Sequence, residues 1–117
     1  MSNYNKVILV GRLTRDPVTK SVGPDKVVTH FGLAVNRRWG DTEEVMFIEV
    51  GYWGKTGETI AKHFKKGKEI LVEGHIKMST WEDKDTKKER TQHTVVGERF
   101  EFVGGKSEAP SGEGSTF

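Results

Sequence analysis

Only one segment of this chain, residues 56–67, spaces its apolar side chains as an amphipathic helix does; every other periodic segment alternates as a strand does. Three strand-like segments precede that helix and two follow it. A parallel α/β sheet needs a crossover helix between successive strands, so doubly wound and TIM-type folds are excluded. The expected architecture is all-β: a five-stranded Greek-key barrel with one short helix between strands 3 and 4.

The first strand spans residues 5–14 and stops at Asp16-Pro17. The second spans 26–36, with Val27, Thr29, Phe31, Leu33 and Val35 on one face and Gly32 at an expected bend. Residues 37–44, turning at Gly40-Asp41, read as a hairpin loop before the third strand, 45–53. Thr56 suits a helix N-cap and Glu58 the first turn; Ile60, Ala61 and Phe64 share a side, Lys62, Lys65 and Lys66 lie toward the end, and Gly67 suits the stop. The fourth strand, 69–82, puts Ile70, Val72, Ile76 and Met78 together, and a charged loop at 83–90 leads to the fifth, 91–103, with Val96, Phe100 and Phe102 together. Residues 104–117 are rich in Gly, Ser, Pro and Glu and read as a short disordered tail after a single domain over 1–103.

Composition removes several classes of function. The chain has 117 residues and no cysteine, which excludes disulfides, thiol catalysis and thiolate zinc sites. The longest aliphatic run, Val7-Ile8-Leu9-Val10, is far below the roughly 20 residues of a membrane span, and residues 1–6 lack a signal-type pattern. A cytoplasmic protein without membrane attachment is expected. A net charge of +2 permits nucleic-acid binding without demanding it. Gly54-Lys55-Thr56 resembles the end of a phosphate-binding loop, but the full spacing needs glycine where Glu49 stands. His30, His63, His75 and His93 match no metal spacing, and no serine has a nucleophile-elbow context. The reading therefore assigns no catalytic residue, no metal and no cofactor.

The informative residues are aromatics on the wrong face. In the third strand Met46, Ile48, Val50 and Tyr52 form the core face, which leaves Val45, Phe47, Glu49, Gly51 and Trp53 opposite. In the fourth, Trp81 shares its face with Leu71, Glu73, His75, Lys77 and Ser79, while Trp39 follows Arg37-Arg38 in the loop. Phe47 or Leu71 could also pack against a neighbouring subunit. Four rings among Lys, Arg, Gly and Glu, however, fit stacking on nucleobases, at about 1–3 kcal/mol per base. Duplexes hide base faces, so such platforms favour single strands. The cations nearest the rings are Lys6, Arg12, Arg37, Arg38, Lys55, Lys66 and Lys77.

Asn5-Lys6-Val7-Ile8-Leu9-Val10-Gly11-Arg12-Leu13 with Asp16-Pro17, then Leu33-Ala34-Val35-Asn36 with Trp39, Val50-Gly51-Tyr52-Trp53-Gly54-Lys55, Lys66-Gly67, Leu71-Val72-Glu73-Gly74 and Trp81 stand in an order that closely resembles bacterial-type single-stranded DNA-binding proteins. The resemblance covers about residues 5–103. It implies an OB-fold assembling as a homotetramer, or in some relatives a dimer, that wraps single-stranded DNA during replication, recombination and repair, in the cytoplasm with the nucleoid; phage or organelle origin stays open. Its stacking positions fall on Trp39, Phe47, Trp53 and Trp81, and its basic positions on Lys6, Lys55, Lys66 and Lys77. Three departures stand out. Glu49 takes a position that is commonly basic, and Ser79 and Thr80 replace cations beside the last Trp. Each lost contact would flatten the log–log salt slope by about 0.7. Of the family's long linker and acidic tip only Glu108, Glu113 and Phe117 remain, which speaks against recruiting replication and repair proteins through the tail. An adaptor OB domain that docks proteins, or one that binds RNA, would share the barrel.

Overall fold

The computed structural model describes residues 2–103. The tail expected over residues 104–117 lies outside the described residues. The elements are β1 (Val7–Leu13), β2 (Val18–Gly23), β3 (Lys26–Trp39), β4 (Thr42–Trp53), α1 (Gly54–His63), β5 (Glu69–Glu82) and β6 (Glu89–Phe102). Five of the strands close a barrel in the order β1-β5-β6-β4-β3, with β1 returning to β3. All pairings are antiparallel except β4 with β6. The sequence's third, fourth and fifth strands are thus β4, β5 and β6, and the helix lies between β4 and β5.

β2 is an addition to that plan. It pairs along β3 from Val18–His30 onward, beyond the point where β1 meets the same edge of β3. Five of its six residues are exposed, and its inward tie is the hydroxyl pair Thr19–Thr29 at 2.8 Å. A strand held by backbone pairing rather than burial leaves no apolar alternation to read.

The core joins Leu13, Phe31, Leu33, Val50, Tyr52, Ile60, Phe64, Ile70, Val72 and Val95. Phe31 and Tyr52 stack at 6.3 Å between ring centres. The Tyr52 hydroxyl donates to the Arg99 carbonyl at 2.7 Å, and burial pushes its pKa upward. Gly97 lies against the Tyr52 ring, where any Cβ would strike it. The helix closes one end of the barrel with Gly57 and Ile60 buried. It begins at Gly54, two residues before the expected Thr56 cap, and no side chain caps it. Glu58 therefore falls in the second turn. The helix also stops before Gly67: Phe64 is already extended, because burying its ring in the core takes precedence over another helical turn. Gly67 instead turns the chain at φ 89, and its N–H donates to the Leu13 carbonyl at 2.8 Å.

Two further expectations are corrected. Residues 37–44 are not a loop: β3 and β4 continue to Trp39 and Thr42, where Gly40 at φ 58 takes the first position of a two-residue turn. Cross-strand pairs Arg37–Glu44 and Arg38–Glu43 extend this ribbon past the barrel. Met46, expected in the core, stands on that ribbon and is exposed, as is Met78 on β5. In β6 the register slips at Glu98, since Glu73 faces Arg99 while Gly74 faces Gly97. One extra residue reverses side-chain parity, so Val95 and Phe100 point inward, and Val96 does not share their face. Phe102 is exposed, stacked on Phe64 at 5.0 Å.

The barrel is not equally stitched around its girth. β1 meets β3 at only two positions, Arg12–Ala34 and Leu13–Leu33, whereas β5 and β6 pair along nearly their whole length.

Candidate nucleic-acid interface

Strand pairing fixes which side chains share the outer surface, because directly paired residues point the same way. One cross-strand row runs Gly32–Glu49–Thr94–Lys77, and the next runs His30–Gly51–Val96–His75. Stepping by two along β4 adds Phe47, opposite Ala34, and Trp53, opposite Val28. Stepping by two along β5 adds Ser79 and Trp81, the latter opposite Arg90. Three rings, Phe47, Trp53 and Trp81, therefore project from one face of β3-β4-β6-β5, at 67%, 52% and 48% exposure. Arg38 and Lys77 share that face. An open hollow lined by Asp25, Lys26, Val27, Trp53 and Gly54 borders the Trp53 ring.

Trp39 is placed differently. It ends β3 on the opposite side of the ribbon, in line with Leu33 and Val35, and the Arg37 guanidinium lies over its ring at 5.0 Å. Both residues are exposed because the ribbon has left the barrel.

The cations divide into free and engaged groups. Lys55 follows Trp53 in the first turn of α1, exposed beside that ring. Lys66 is exposed, and its backbone N–H donates to Asp16 at 2.8 Å. Arg12 donates to the Gly67 carbonyl at 3.1 Å and lies 3.6 Å from Glu69, which brings it to the Lys66 turn rather than to the rings. Lys6 is held by Glu73 at 3.0 Å and Glu98 at 3.5 Å. The hydrogen bond to Glu73 raises the Lys6 pKa above its ordinary value. Glu98 is held below the ordinary carboxylate range, first by its hydrogen bond with His75 at 2.8 Å and then by Lys6.

Glu49 is not a bare anion. Arg15, from the turn after β1, places Nη2 2.6 Å from Glu49 Oε2, and His30 Nδ1 lies 3.1 Å from the same oxygen. An ionised carboxylate has no proton to give, so the tautomer that fits is Nδ1–H donating to Glu49. Gly32 makes this possible: a side chain there would collide with Thr14 and Arg15. Arg15 escaped the sequence reading because it lies in a turn, 34 residues before its partner. Among the described residues no group of three or more His, Cys, Asp or Glu side chains is placed to hold a metal ion. None of the helices there is long and apolar enough to cross a membrane.

Comparison with known proteins identifies the family. The model of the single-strand binding protein family matches residues 4–103. The single-stranded DNA-binding protein of Wolinella succinogenes is 35% identical over 93% of this chain and 70% of that protein. That of Clostridium perfringens is 39% identical over 97% of this chain and 78% of its own length. Single-stranded DNA-binding protein 1 of Clostridium acetobutylicum is 38% identical over 90% of this chain and 98% of its own.

Proposed function

Because the chain belongs to the single-strand binding protein family, we propose that it binds single-stranded DNA without strong sequence preference and without catalysis, protecting it during DNA replication, recombination and repair. The observation that carries this is the outer face itself: three half-exposed rings, two on β4 and one on β5 across the intervening β6, separated by small and polar residues and edged by Arg38, Lys55 and Lys77. Bases stack on Phe47, Trp53 and Trp81, and Trp39 with Arg37 offers a further stacking contact on the other side of the ribbon. Phosphates meet the free lysines and Arg38, while Arg12, Lys66 and Lys6 contribute from farther round the barrel. Stacking accepts every base, which is why the binding is sequence-tolerant.

The outer surface of β1 supports an assembly of copies. Ile8 and Val10 point outward at 58% and 41% exposure on a strand whose edge, among the described residues, is unpaired before Arg12. Covering that strip with a second copy supports a homodimer as the unit of a homotetramer. Residues 1–103 form the DNA-binding domain, with residues 104–117 as a tail, and the protein works in the cytoplasm at the nucleoid.

Titrating oligo-dT into the protein at low and moderate salt, with duplex DNA as control, tests the reading through tryptophan fluorescence. Quenching by single strands alone, weakening as salt rises, is expected. A folded protein whose fluorescence ignores oligo-dT would assign the rings to a protein interface instead.

A further inference from the structure

We infer that Arg15 is a further contact to the DNA backbone, with Glu49 and His30 as the residues that position it; this rests on the single-strand-binding reading above. Glu49 stands on the outer face two residues after Phe47 and four before Trp53, so a strand stacked on both rings carries a phosphate past it. A lone carboxylate there would repel that phosphate. Arg15 and His30 both converge on its Oε2, at 2.6 and 3.1 Å, and remove the repulsion.

The arginine has capacity left over. Its guanidinium carries five N–H donors, and Glu49 takes one through Nη2. Among the described residues neither Nε nor Nη1 has an acceptor within hydrogen-bond distance, although the side chain is only 42% exposed. Nη1 is seated over Gly32, in the same cross-strand row as Lys77. A half-buried planar fork fixed at one corner, with donors unpaired, suits a phosphate oxygen pair better than water does. Glu49 holds the fork flat on the face while DNA is absent, and His30 holds Glu49. On binding, the phosphate takes the free donors, and the guanidinium is shared between the two anions.

Salt dependence separates this from a role confined to neutralising Glu49. Oligo-dT affinity is measured across a salt series for the wild type, Glu49→Gln, Arg15→Gln and the double variant, each checked for folding by thermal melting. Glu49→Gln frees the guanidinium and is expected to tighten binding about five-fold at low salt, and Arg15→Gln to weaken it at least about as much. The double variant decides. With both charges gone, its log–log slope is expected to be shallower than wild type by about 0.7, one phosphate contact on a single strand. A double variant with the wild-type slope and affinity would show that Arg15 only cancels Glu49 and would overturn the inference. Should Arg15→Gln fail to fold, Glu49→Gln alone suffices, since unchanged affinity would mean the freed arginine does not reach DNA. A wild-type protein that does not bind oligo-dT would instead overturn the function proposed above.

Discussion

Replacing Phe47 by alanine should separate binding from folding. The ring is 67% exposed, so of the roughly 200 Å² that a phenylalanine offers, about 130 Å² is open to a partner. Covering that area is worth about 3 kcal/mol at about 25 cal/mol per Å², the upper end of the roughly 1–3 kcal/mol for a stacked base. Phe47→Ala should therefore weaken binding to oligo-dT by about 5- to 150-fold. The remaining third of the ring packs on the sheet, so the fold should lose less than about 2 kcal/mol. Phe64, with no exposed surface, is the control: Phe64→Ala should cost about 3–5 kcal/mol of stability. The assay is tryptophan quenching on titration with oligo-dT, which stays usable because all three tryptophans remain, paired with urea unfolding. A folded Phe47→Ala protein that binds within two-fold of wild type would refute the assignment of this face to stacking.

Gly97→Ala should drive a methyl into the Tyr52 ring and lower the urea midpoint sharply, by an amount of order 1–3 kcal/mol in stability, with little room for relief in a packed core. Tyr52→Phe leaves the Arg99 carbonyl without its donor and should cost about 1–2 kcal/mol, read from the same unfolding curves. Because the Glu98 pKa is lowered in the folded chain, its contribution to stability is present above the ordinary carboxylate range and is lost as pH falls through the depressed value; Glu98→Gln should flatten that acid limb, and NMR titration of Glu98 should show the downward shift directly. Ile8→Asp with Val10→Asp should leave a folded barrel that sediments as a smaller species than wild type.

The barrel was legible because its strands are half-buried. Leu33, Val50, Tyr52, Ile70 and Val72 recur at every second position of their strands, and the same parity places Phe47, Trp53 and Trp81 outside. What the pattern could not carry was anything that parity does not encode. β2 buries almost nothing, so no alternation marked it. The extra residue at Glu98 is silent in sequence but exchanges Val96 for Val95 in the core. Hydrophilic residues 37–44 resembled a loop because their strands pair outside the barrel, where polar and charged side chains are at no disadvantage. That same misreading put Trp39 in the loop, although register sets it at the end of β3, on the opposite side of the ribbon from Phe47. Glu49 counted as a lone negative charge until the chain's return brought Arg15 and His30 to it.

The short seam between β1 and β3 has a mechanical consequence. With two paired positions, and the Thr14 N–H to Gly32 carbonyl bond of 2.9 Å beside them, it is the line along which the cylinder can part without disturbing the long β5–β6 ladder. Opening there would swing the strand that carries Ile8 and Val10 as a flap, hinged on β5. The bonds from Leu13 to Gly67 and Lys68 continue the β1–β5 ladder and so belong to the hinge, which leaves the Thr14–Gly32 bond as the latch. Amide exchange should accordingly run fastest, among the barrel strands, at the β1–β3 contact, and a second copy lying along β1 would slow it by clamping the flap shut.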